Sequence, residues 1–283
     1  MAELLKGAPA ASAITQDLKE RSDALRAKGT VPTLAILRVG ERPDDLSYEK
    51  GALSRCAKAG IEVRQIVLPA DASKDDILAE VRKINEDDTI HGCLMFRPLA
   101  DKEAEAEAGR LLAPEKDVDA MTPMSMASVF LGKGEGYAPC TAQSCIEILK
   151  HYGVPLSGAN VVVVGRSPVI GKPVSMLLQK ENATVTMCHT KTVGMAEICR
   201  RADVLVVAAG KAGVVNADYV REGQVVIDVG INVDAEGKLC GDVDFASVEP
   251  IVKAITPVPG GVGSVTTSIL ASHLIESAEK SAK

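Results

Sequence analysis

The sequence predicts an α/β protein with two α/β domains flanking a cleft, the second built on a parallel sheet. Short apolar runs alternate with segments of helical periodicity along most of the chain. Aromatic residues make up only 2% of the 283 residues and Trp is absent. The core must therefore be filled by Val, Ile, Leu and Ala, which is typical of parallel strands covered by helices on both faces. In the second half, four consecutive valines run directly into Gly165 and a helical segment.

The first domain is predicted to comprise residues 1–145 together with a C-terminal helix, 265–283, that packs back on it. Ser73 is a predicted N-cap, and acidic residues follow it in the first turn. The segment 113–136 lacks a sustained period and is predicted to be loop and short helix over the cleft. The remaining helices are predicted at 9–28, 43–59, 73–86, after the third strand and at 142–152, and the strands at 33–39, 61–68 and 91–96.

The second domain is predicted to span residues 146–264. Its strands are expected at 161–164, 184–188, 204–208 and 225–229, with 254–256 as a fifth.

Charge and cysteine usage exclude several classes of protein. The formal net charge is −6, whereas a nucleic-acid binder usually carries a basic excess. The seven cysteines form no CxxC pair, so neither a disulfide framework nor a metal site is expected. The sequence starts with no basic segment leading into an apolar core, and no apolar run reaches about 18 residues. We therefore expect a cytoplasmic protein with no nucleic-acid or membrane partner.

The phosphate loop is the stretch from Gly165 to Pro173. A glycine at position 171 would let the backbone approach a pyrophosphate, and the following helix offers free N–H groups and a partial positive charge. Gly165, Arg166, Ser167 and Gly171 are therefore predicted to bind a dinucleotide. A structural turn without a ligand would leave the same pattern, because such short motifs also match by chance.

The end of the next strand favours NADP over NAD. NAD-selective domains usually carry an acidic residue there for the ribose 2′-hydroxyl, but this chain has His189, Thr190 and Lys191. Lys191 and Arg166 supply positive charge where a 2′-phosphate would sit, and Arg can bind phosphate through two hydrogen bonds. The alternative is that both are ordinary solvated charges.

Three further loops fit the same site, because ligands of open α/β sheets lie outside the carboxyl ends of the strands. Gly210 ends one strand, and Ile231 follows another. The loop 256–263 combines rigid prolines with permissive glycines and can bring backbone groups to a flat ring edge. The predicted cofactor contacts here are Gly210, Ile231 and Gly263, and the predicted substrate contacts are Pro259, Gly260 and Gly261.

The motifs together resemble the methylenetetrahydrofolate dehydrogenase/methenyltetrahydrofolate cyclohydrolase family over essentially the whole chain. In order they are PEKDVDAM, PCT, GRSxxxGxP, CHTKT, VIDVGIN, GDVDF and ITPVPGGVG. The resemblance implies a homodimer of one-carbon metabolism and purine biosynthesis. It implies that 5,10-methylenetetrahydrofolate is oxidised with NADP and that the methenyl product is hydrolysed to 10-formyltetrahydrofolate.

By the same resemblance, Tyr48 and Asp119 are predicted to be catalytic and to bind the folate substrate. A carboxylate suits the pterin edge because it accepts two hydrogen bonds from an amino-pyrimidinone. The alternative for Asp119 is a capping or loop aspartate, and that for Tyr48 is core packing.

Two positions depart from the family pattern. Where members with both activities have a lysine, this chain has Ala52, and where they have a glutamine it has Phe96. Hydrolysis needs general acid–base help, whereas hydride transfer needs alignment of the two reactants. The dehydrogenase is therefore expected to survive and the cyclohydrolase to be weak or lost. The open alternative is a bifunctional enzyme that uses Lys50 or Arg97 instead; Arg55, which returns to the face of Tyr48, stays protonated and cannot accept a proton.

Two other functions remain open from the sequence. One is a two-domain NAD(P)-dependent dehydrogenase with another small substrate, and the other is a nucleotide-binding sensor without activity. Reduction of NADP by methylenetetrahydrofolate would separate these readings.

Overall fold

The computed structural model describes residues 1–282, which form eleven strands and ten α-helices. The strands are β1 (Glu3–Leu4), β2 (Thr33–Val39), β3 (Glu62–Leu68), β4 (Gly92–Met95), β5 (Asn160–Val164), β6 (Thr184–Cys188), β7 (Val204–Val207), β8 (Val225–Asp228), β9 (Asn232–Val233), β10 (Leu239–Cys240) and β11 (Ala254–Ile255). The helices are α1 (Gly7–Ala27), α2 (Pro43–Ala59), α3 (Lys74–Glu86), α4 (Lys102–Leu111), α5 (Pro123–Leu131), α6 (Cys140–His151), α7 (Gly171–Lys180), α8 (Met195–Arg200), α9 (Phe245–Val248) and α10 (Thr266–Ser281).

These elements divide into two compact units. The first unit contains residues 12–140 and 267–282, and the second contains 1–11 and 141–266. The C-terminal helix α10 belongs almost wholly to the first unit, as its predicted packing on the first domain requires.

The first unit is built on a three-stranded parallel sheet in the order β3-β2-β4. Residues 34–37 of β2 are fully buried because this central strand is covered on both faces. Helix α3 starts at Ser73, whose side chain accepts the N–H of Asp76, while the Asp76 carboxylate accepts the N–H of Ser73. This capping box confirms the predicted N-cap.

The second unit is built on a six-stranded sheet in the order β1-β11-β8-β7-β5-β6, with every pairing parallel. The valines of β5 lie in the centre, between β6 and β7, and are buried. Because all strands run the same way, the loops that follow them meet at one carboxyl edge. This order confirms the predicted fold class, since the sheet of the second unit is the Rossmann-like one.

Residues 1–11 group with the second unit because β1 extends its sheet by pairing with β11. The domain limits drawn from the sequence, 1–145 with 265–283 and 146–264, did not foresee this, since a two-residue strand has no periodicity. As boundaries of functional domains those limits stay a prediction.

The structure adds elements that the sequence did not predict. Helix α8 and the antiparallel hairpin of β9 and β10 were missed because each is too short to show a period. The short helix predicted within segment 113–136 is present as α5. Over residues 1–282 no helix combines the length and the apolar character that a membrane crossing requires.

Candidate functional site

The phosphate loop closes by backbone contact between glycines. Gly165 follows β5 with a φ of +135°, and a Cβ atom there would collide with the carbonyl of Ala208 after β7. Gly171 opens α7, and a Cβ atom there would collide with the carbonyl of Gly165. Only glycine allows this approach of two strand ends and a helix start. The loop therefore presents bare backbone at the N-terminus of a ten-residue helix, as a pyrophosphate requires.

Ser167 shapes the loop with its own side chain. Its Oγ accepts the N–H of Ile170 at 3.1 Å and of Gly171 at 3.4 Å. Its carbonyl accepts the N–H of Lys172 at 3.0 Å. Arg166 beside it is exposed.

The end of β6 carries no acid. His189 N–H donates to Thr192 Oγ1 at 2.9 Å, and His189 Nδ1 accepts the N–H of Lys191 at 3.1 Å. The Lys191 side chain is exposed, like that of Arg166. The residues present thus fit a dinucleotide with an additional phosphate better than one with a free 2′-hydroxyl, which needs a carboxylate acceptor.

Two buried aspartates hold the loops after β7 and β8. The sequence by itself suggested no role for either of them. The Asp242 carboxylate accepts the backbone N–H groups of Ala209, Gly210 and Lys211. The Asp228 carboxylate accepts those of Gly230, Asp242 and Val243. Burial raises the pKa of Asp228 to about 6, and the backbone donors lower it in part. The signal that could have found them was an aspartate inside each of the apolar motifs VIDVG and GDVDF.

The loop 256–263 is held at its start and in its middle within the second unit. Thr256 Oγ1 accepts the N–H of Asp228 at 2.8 Å. The carbonyl of Gly260 accepts the N–H of Gly7 at 2.8 Å. Pro259, Gly260 and Gly263 are exposed, whereas Gly261 is buried.

In the first unit, Tyr48 on α2 meets Phe96 just after β4. The two ring centroids lie 6.0 Å apart at 84°, an edge-to-face contact. Ala52, one turn after Tyr48, is fully buried. The positions where the resemblance would place a lysine and a glutamine therefore form an apolar wall beside Tyr48.

The turn 117–122 presents Asp119 and is held by Asp117. Asp117 is buried, and its carboxylate accepts the N–H groups of Met121 and Thr122, both at 2.8 Å. Within this turn, Ala120 takes a φ of 55°, a left-handed conformation that costs an L-residue about 1 kcal/mol. The two aspartates of PEKDVDAM thus differ, because Asp117 is used by the fold.

Asp119 keeps most of its hydrogen-bonding capacity. Its Oδ1 accepts the N–H of Cys140 at 3.3 Å, and it makes no other hydrogen bond or ion pair that is resolved within residues 1–282 apart from the neighbouring Cys140 thiol. Its pKa is raised, chiefly because burial disfavours the ionised form, while Cys140 and the positive charge of Arg97 oppose this. The residue as a whole is half-buried.

A cluster under Asp119 was not foreseen from the sequence. His273 Nδ1 donates to the Val118 carbonyl at 2.9 Å. Burial lowers the pKa of His273, which favours the neutral ring. The Cys140 Sγ lies 3.4 Å from the same carbonyl. Tyr137 stacks on His273 with ring centroids 4.8 Å apart. These contacts fix the backbone that carries Asp119.

Apart from Arg97, which follows Phe96, the polar side chains on or beside α2 are committed to other partners or point away from Tyr48. Glu49 is buried and bound to Arg38 Nε at 3.0 Å and to Gln65 Nε2 at 2.8 Å. Arg55 donates to Thr15 Oγ1 at 2.7 Å. Lys50 is exposed, as its position two residues after Tyr48 predicts.

The predicted site residues therefore fall into two sets. Those of the second unit all follow the carboxyl ends of β5, β6, β7, β8 and β11, in the loops or at the first turn of the helix behind them. In the first unit, Asp117 pairs with Cys93 of β4, which places Asp119 beside the end of the strand that Phe96 follows. Fold and site thus define an NAD(P)-dependent dehydrogenase with a separate substrate-binding α/β unit.

Two family models match the chain. Residues 139–282 match the NAD(P)-binding domain of tetrahydrofolate dehydrogenase/cyclohydrolase, and residues 5–119 match its catalytic domain. The chain belongs to the tetrahydrofolate dehydrogenase/cyclohydrolase family. It is 50% identical over 276 residues to "Bifunctional protein FolD" of Alkaliphilus oremlandii, covering 98% of this chain and 97% of that protein.

Solved structures of related enzymes superpose on this chain over almost its whole length. The bifunctional FolD enzyme of Campylobacter jejuni superposes with a TM-score of 0.94 at 35% identity, covering 99% of both chains. The Trypanosoma brucei methylenetetrahydrofolate dehydrogenase-cyclohydrolase, solved with NADP and an inhibitor, gives 0.91 at 34% identity, covering 99% of this chain and 98% of that one. The predicted family, fold class and dehydrogenase activity are confirmed. The roles of the individual site residues stay predictions.

Proposed function

We propose that this enzyme oxidises 5,10-methylenetetrahydrofolate to the methenyl form with NADP, in one-carbon metabolism, and that the reaction stops there. The observation that carries the second part is the apolar wall of Ala52 and Phe96 beside Tyr48. The dehydrogenase itself follows from the family and from the intact phosphate loop.

NADP fits the second unit through the backbone cradle of Gly165 and Gly171 and the cations of Arg166 and Lys191. NADP, when bound, supplies a nicotinamide ring that accepts a hydride. We assign the 2′-phosphate to Arg166 and Lys191, with Ser167, His189 and Thr190 beside it. Gly210, Ile231 and Gly263 are assigned to the remainder of the cofactor.

The first unit holds and orients the folate. We assign the amino-pyrimidinone edge to Asp119, because its carboxylate accepts a single backbone N–H, at 3.3 Å, besides the Cys140 thiol. Tyr48 would contact the substrate through its ring and hydroxyl. Pro259, Gly260 and Gly261 are assigned to the substrate as well, since this loop, exposed at Pro259 and Gly260, can bring backbone groups to a flat ring edge.

The hydride step needs no protein acid or base. The folate nitrogen lone pair stabilises the developing cation as the C–H bond breaks, so the protein's task is alignment of the two reactants. Hydrolysis of the methenyl cation differs, because water must be activated and a proton moved, which general acid–base groups accelerate about 10²–10⁴-fold. Ala52 and Phe96 supply neither group, and Glu49 is committed to Arg38 and Gln65.

A sharp test follows the methenyl intermediate by absorbance while NADP is reduced. We expect the wild type to reduce NADP with methylenetetrahydrofolate, to accumulate the methenyl product, and to hydrolyse added methenyltetrahydrofolate no faster than buffer. The double substitution of Ala52→Lys with Phe96→Gln should raise hydrolysis at least tenfold. The matched control is Ala52→Met with Phe96→Gln, which adds similar bulk without a titratable group. Wild-type hydrolysis clearly above the uncatalysed rate would overturn the loss of cyclohydrolase.

One observation favours a second candidate, a bifunctional enzyme that uses Arg97. The Arg97 guanidinium makes no hydrogen bond or ion pair within residues 1–282, and its charge acts on Asp119. Arg cannot accept a proton, but it can stabilise a developing negative charge. If the wild type does hydrolyse the methenyl substrate, Arg97→Met should abolish that activity and Lys50→Met should leave it unchanged.

We also propose a cytoplasmic homodimer that serves purine biosynthesis, without nucleic-acid or membrane partners. The β9–β10 hairpin supports the dimer, because Val233 and Leu239 expose large apolar side chains there. Light scattering tests it, and replacing Val233 and Leu239 by Glu should yield monomers.

A further inference from the structure

Asp228 and Asp242 form a bracket that holds the carboxyl edge of the second unit's sheet. Asp242 Oδ2 accepts the N–H of Ala209 at 2.6 Å and of Gly210 at 2.8 Å. Asp242 Oδ1 accepts the N–H of Lys211 and the side-chain amide of Asn232, both at 2.9 Å. Both carboxylates are buried.

Asp228 holds Asp242 in turn. Its Oδ1 accepts the N–H of Asp242 at 2.9 Å and of Gly230 at 3.0 Å, and its Oδ2 accepts that of Val243 at 3.0 Å. A Cβ atom at Gly241 would collide with the Asp228 carboxylate, so the segment 241–243 lies directly against it. The two aspartates thus tie three segments, 209–211, 230–232 and 241–243, to the end of β8.

The residues so held are the exposed ends of the cofactor site. Gly210 has its N–H on Asp242 and a φ of +66°. Ile231 lies between Gly230, bound to Asp228, and Asn232, bound to Asp242. Its side chain is 69% exposed although the backbone around it is fixed, and a Cβ atom placed on Gly263 would lie 3.8 Å from Ile231 Cδ1.

Fold stability alone does not require this arrangement. Ala209, Gly210 and Lys211 are exposed and contribute nothing to the apolar core of the sheet. Three consecutive backbone donors that water could satisfy are instead gathered by one buried carboxylate. Such pre-ordering reduces the entropy lost when a ligand is bound.

We propose that Asp242, supported by Asp228, is a positioning residue that pre-orders the loops after β7 and β8 for the dinucleotide. This inference rests on the proposed NADP binding of the second unit. Asp242 does not touch the cofactor; it acts through Gly210 and Ile231.

The substitution Asp242→Asn tests whether Asp242 positions the loops after β7 and β8 for NADP. Each Asp242 oxygen accepts two donors, so an amide group facing either pair leaves two N–H groups without an acceptor. The matched control is Asp244→Asn, two residues on, whose side chain is exposed and makes no cap hydrogen bond. NADP binding is measured by titration calorimetry and both KM values by reduced-nicotinamide absorbance.

We expect Asp242→Asn to raise the Kd and KM for NADP at least tenfold, with the folate KM at saturating NADP within twofold of the wild type. Asp244→Asn should change neither. A purely structural role would lower the melting temperature but leave the Kd of the folded protein within twofold, and that result would overturn the proposal. If Asp242→Asn does not fold, Asn232→Ala removes one donor only, and an unchanged Kd for NADP in that variant would equally overturn it. Absence of NADP binding by the wild type would instead overturn the proposed function, and this inference with it.

Discussion

The two units treat their buried carboxylates in opposite ways. In the second unit, Asp228 and Asp242 accept seven donors between them, six of which are backbone N–H groups. In the first unit, Asp119 accepts one backbone N–H, at 3.3 Å, and the Cys140 thiol. Asp117, two residues earlier, is saturated like the second unit's pair.

The difference separates carboxylates that build a site from one that binds in it. A buried carboxylate must be compensated, and backbone donors within the unit do so for Asp117 and Asp228, joined at Asp242 by the Asn232 side-chain amide. Asp119 is compensated only in part, and burial raises its pKa. A ligand that presents two N–H donors, as the proposed pterin edge does, would supply the hydrogen bonds that the Asp119 carboxylate lacks.

The largest effect should come from Asp119→Asn. The amide keeps the shape but offers one acceptor instead of two, and a hydrogen bond to a charged group contributes about 1.5–3 kcal/mol. We expect kcat/KM for methylenetetrahydrofolate to fall about a hundredfold or more, with the Kd for NADP and the melting temperature unchanged. Steady-state kinetics with the folate varied measures it. An equal loss of NADP affinity would mean that Asp119 supports the fold, as Asp117 does.

Asp117→Asn should instead lower the stability of the fold, because Asp117 holds buried backbone N–H groups. One of two buried backbone N–H groups, of Met121 or Thr122, loses its acceptor and faces an amide donor instead. We expect the free energy of unfolding to fall by about 1–3 kcal/mol, measured by urea denaturation. Asp119→Asn is the matched control and should lie within about 0.5 kcal/mol of the wild type. If the two variants were equally stable, saturation by backbone donors would not distinguish the two aspartates.

The smallest effect is a pH dependence from Asp228. Its pKa is raised from 3.8 to about 6 in the folded protein, so the folded state binds more protons than the unfolded state between these values. Stability contributed by Asp228 is present at low pH and is lost as pH rises through about 6. Between pH 5 and pH 7 the wild type should lose about 1 kcal/mol relative to Asp228→Asn, which lacks this titration. A relative gain over this range would show that the backbone donors outweigh the burial.

The part of the site that could be predicted from the sequence is the part where residue type alone restricts the backbone conformation or the charge. Gly165 and Gly171 have no room for a side chain, and the missing acid near His189 is visible in the sequence itself. Strands β2 and β5 and helix α2 were predicted within a residue of their bounds because their periodicity or apolar run is strong. Asp228, Asp242 and His273 could not be assigned, because all their partners named above except Gly230 lie 10 to 155 residues away along the chain.

By itself the sequence determined the α/β class, the phosphate loop, the family resemblance and the replacement of two polar positions by Ala52 and Phe96. These follow from residue type, order and local spacing. Only the tertiary structure decided that β1 joins the second unit's sheet, that Phe96 packs edge-on against Tyr48, and which aspartates are saturated. The physical reason is that a hydrogen-bond shell is completed by donors from distant segments, so a carboxylate's role depends on what folding brings to it.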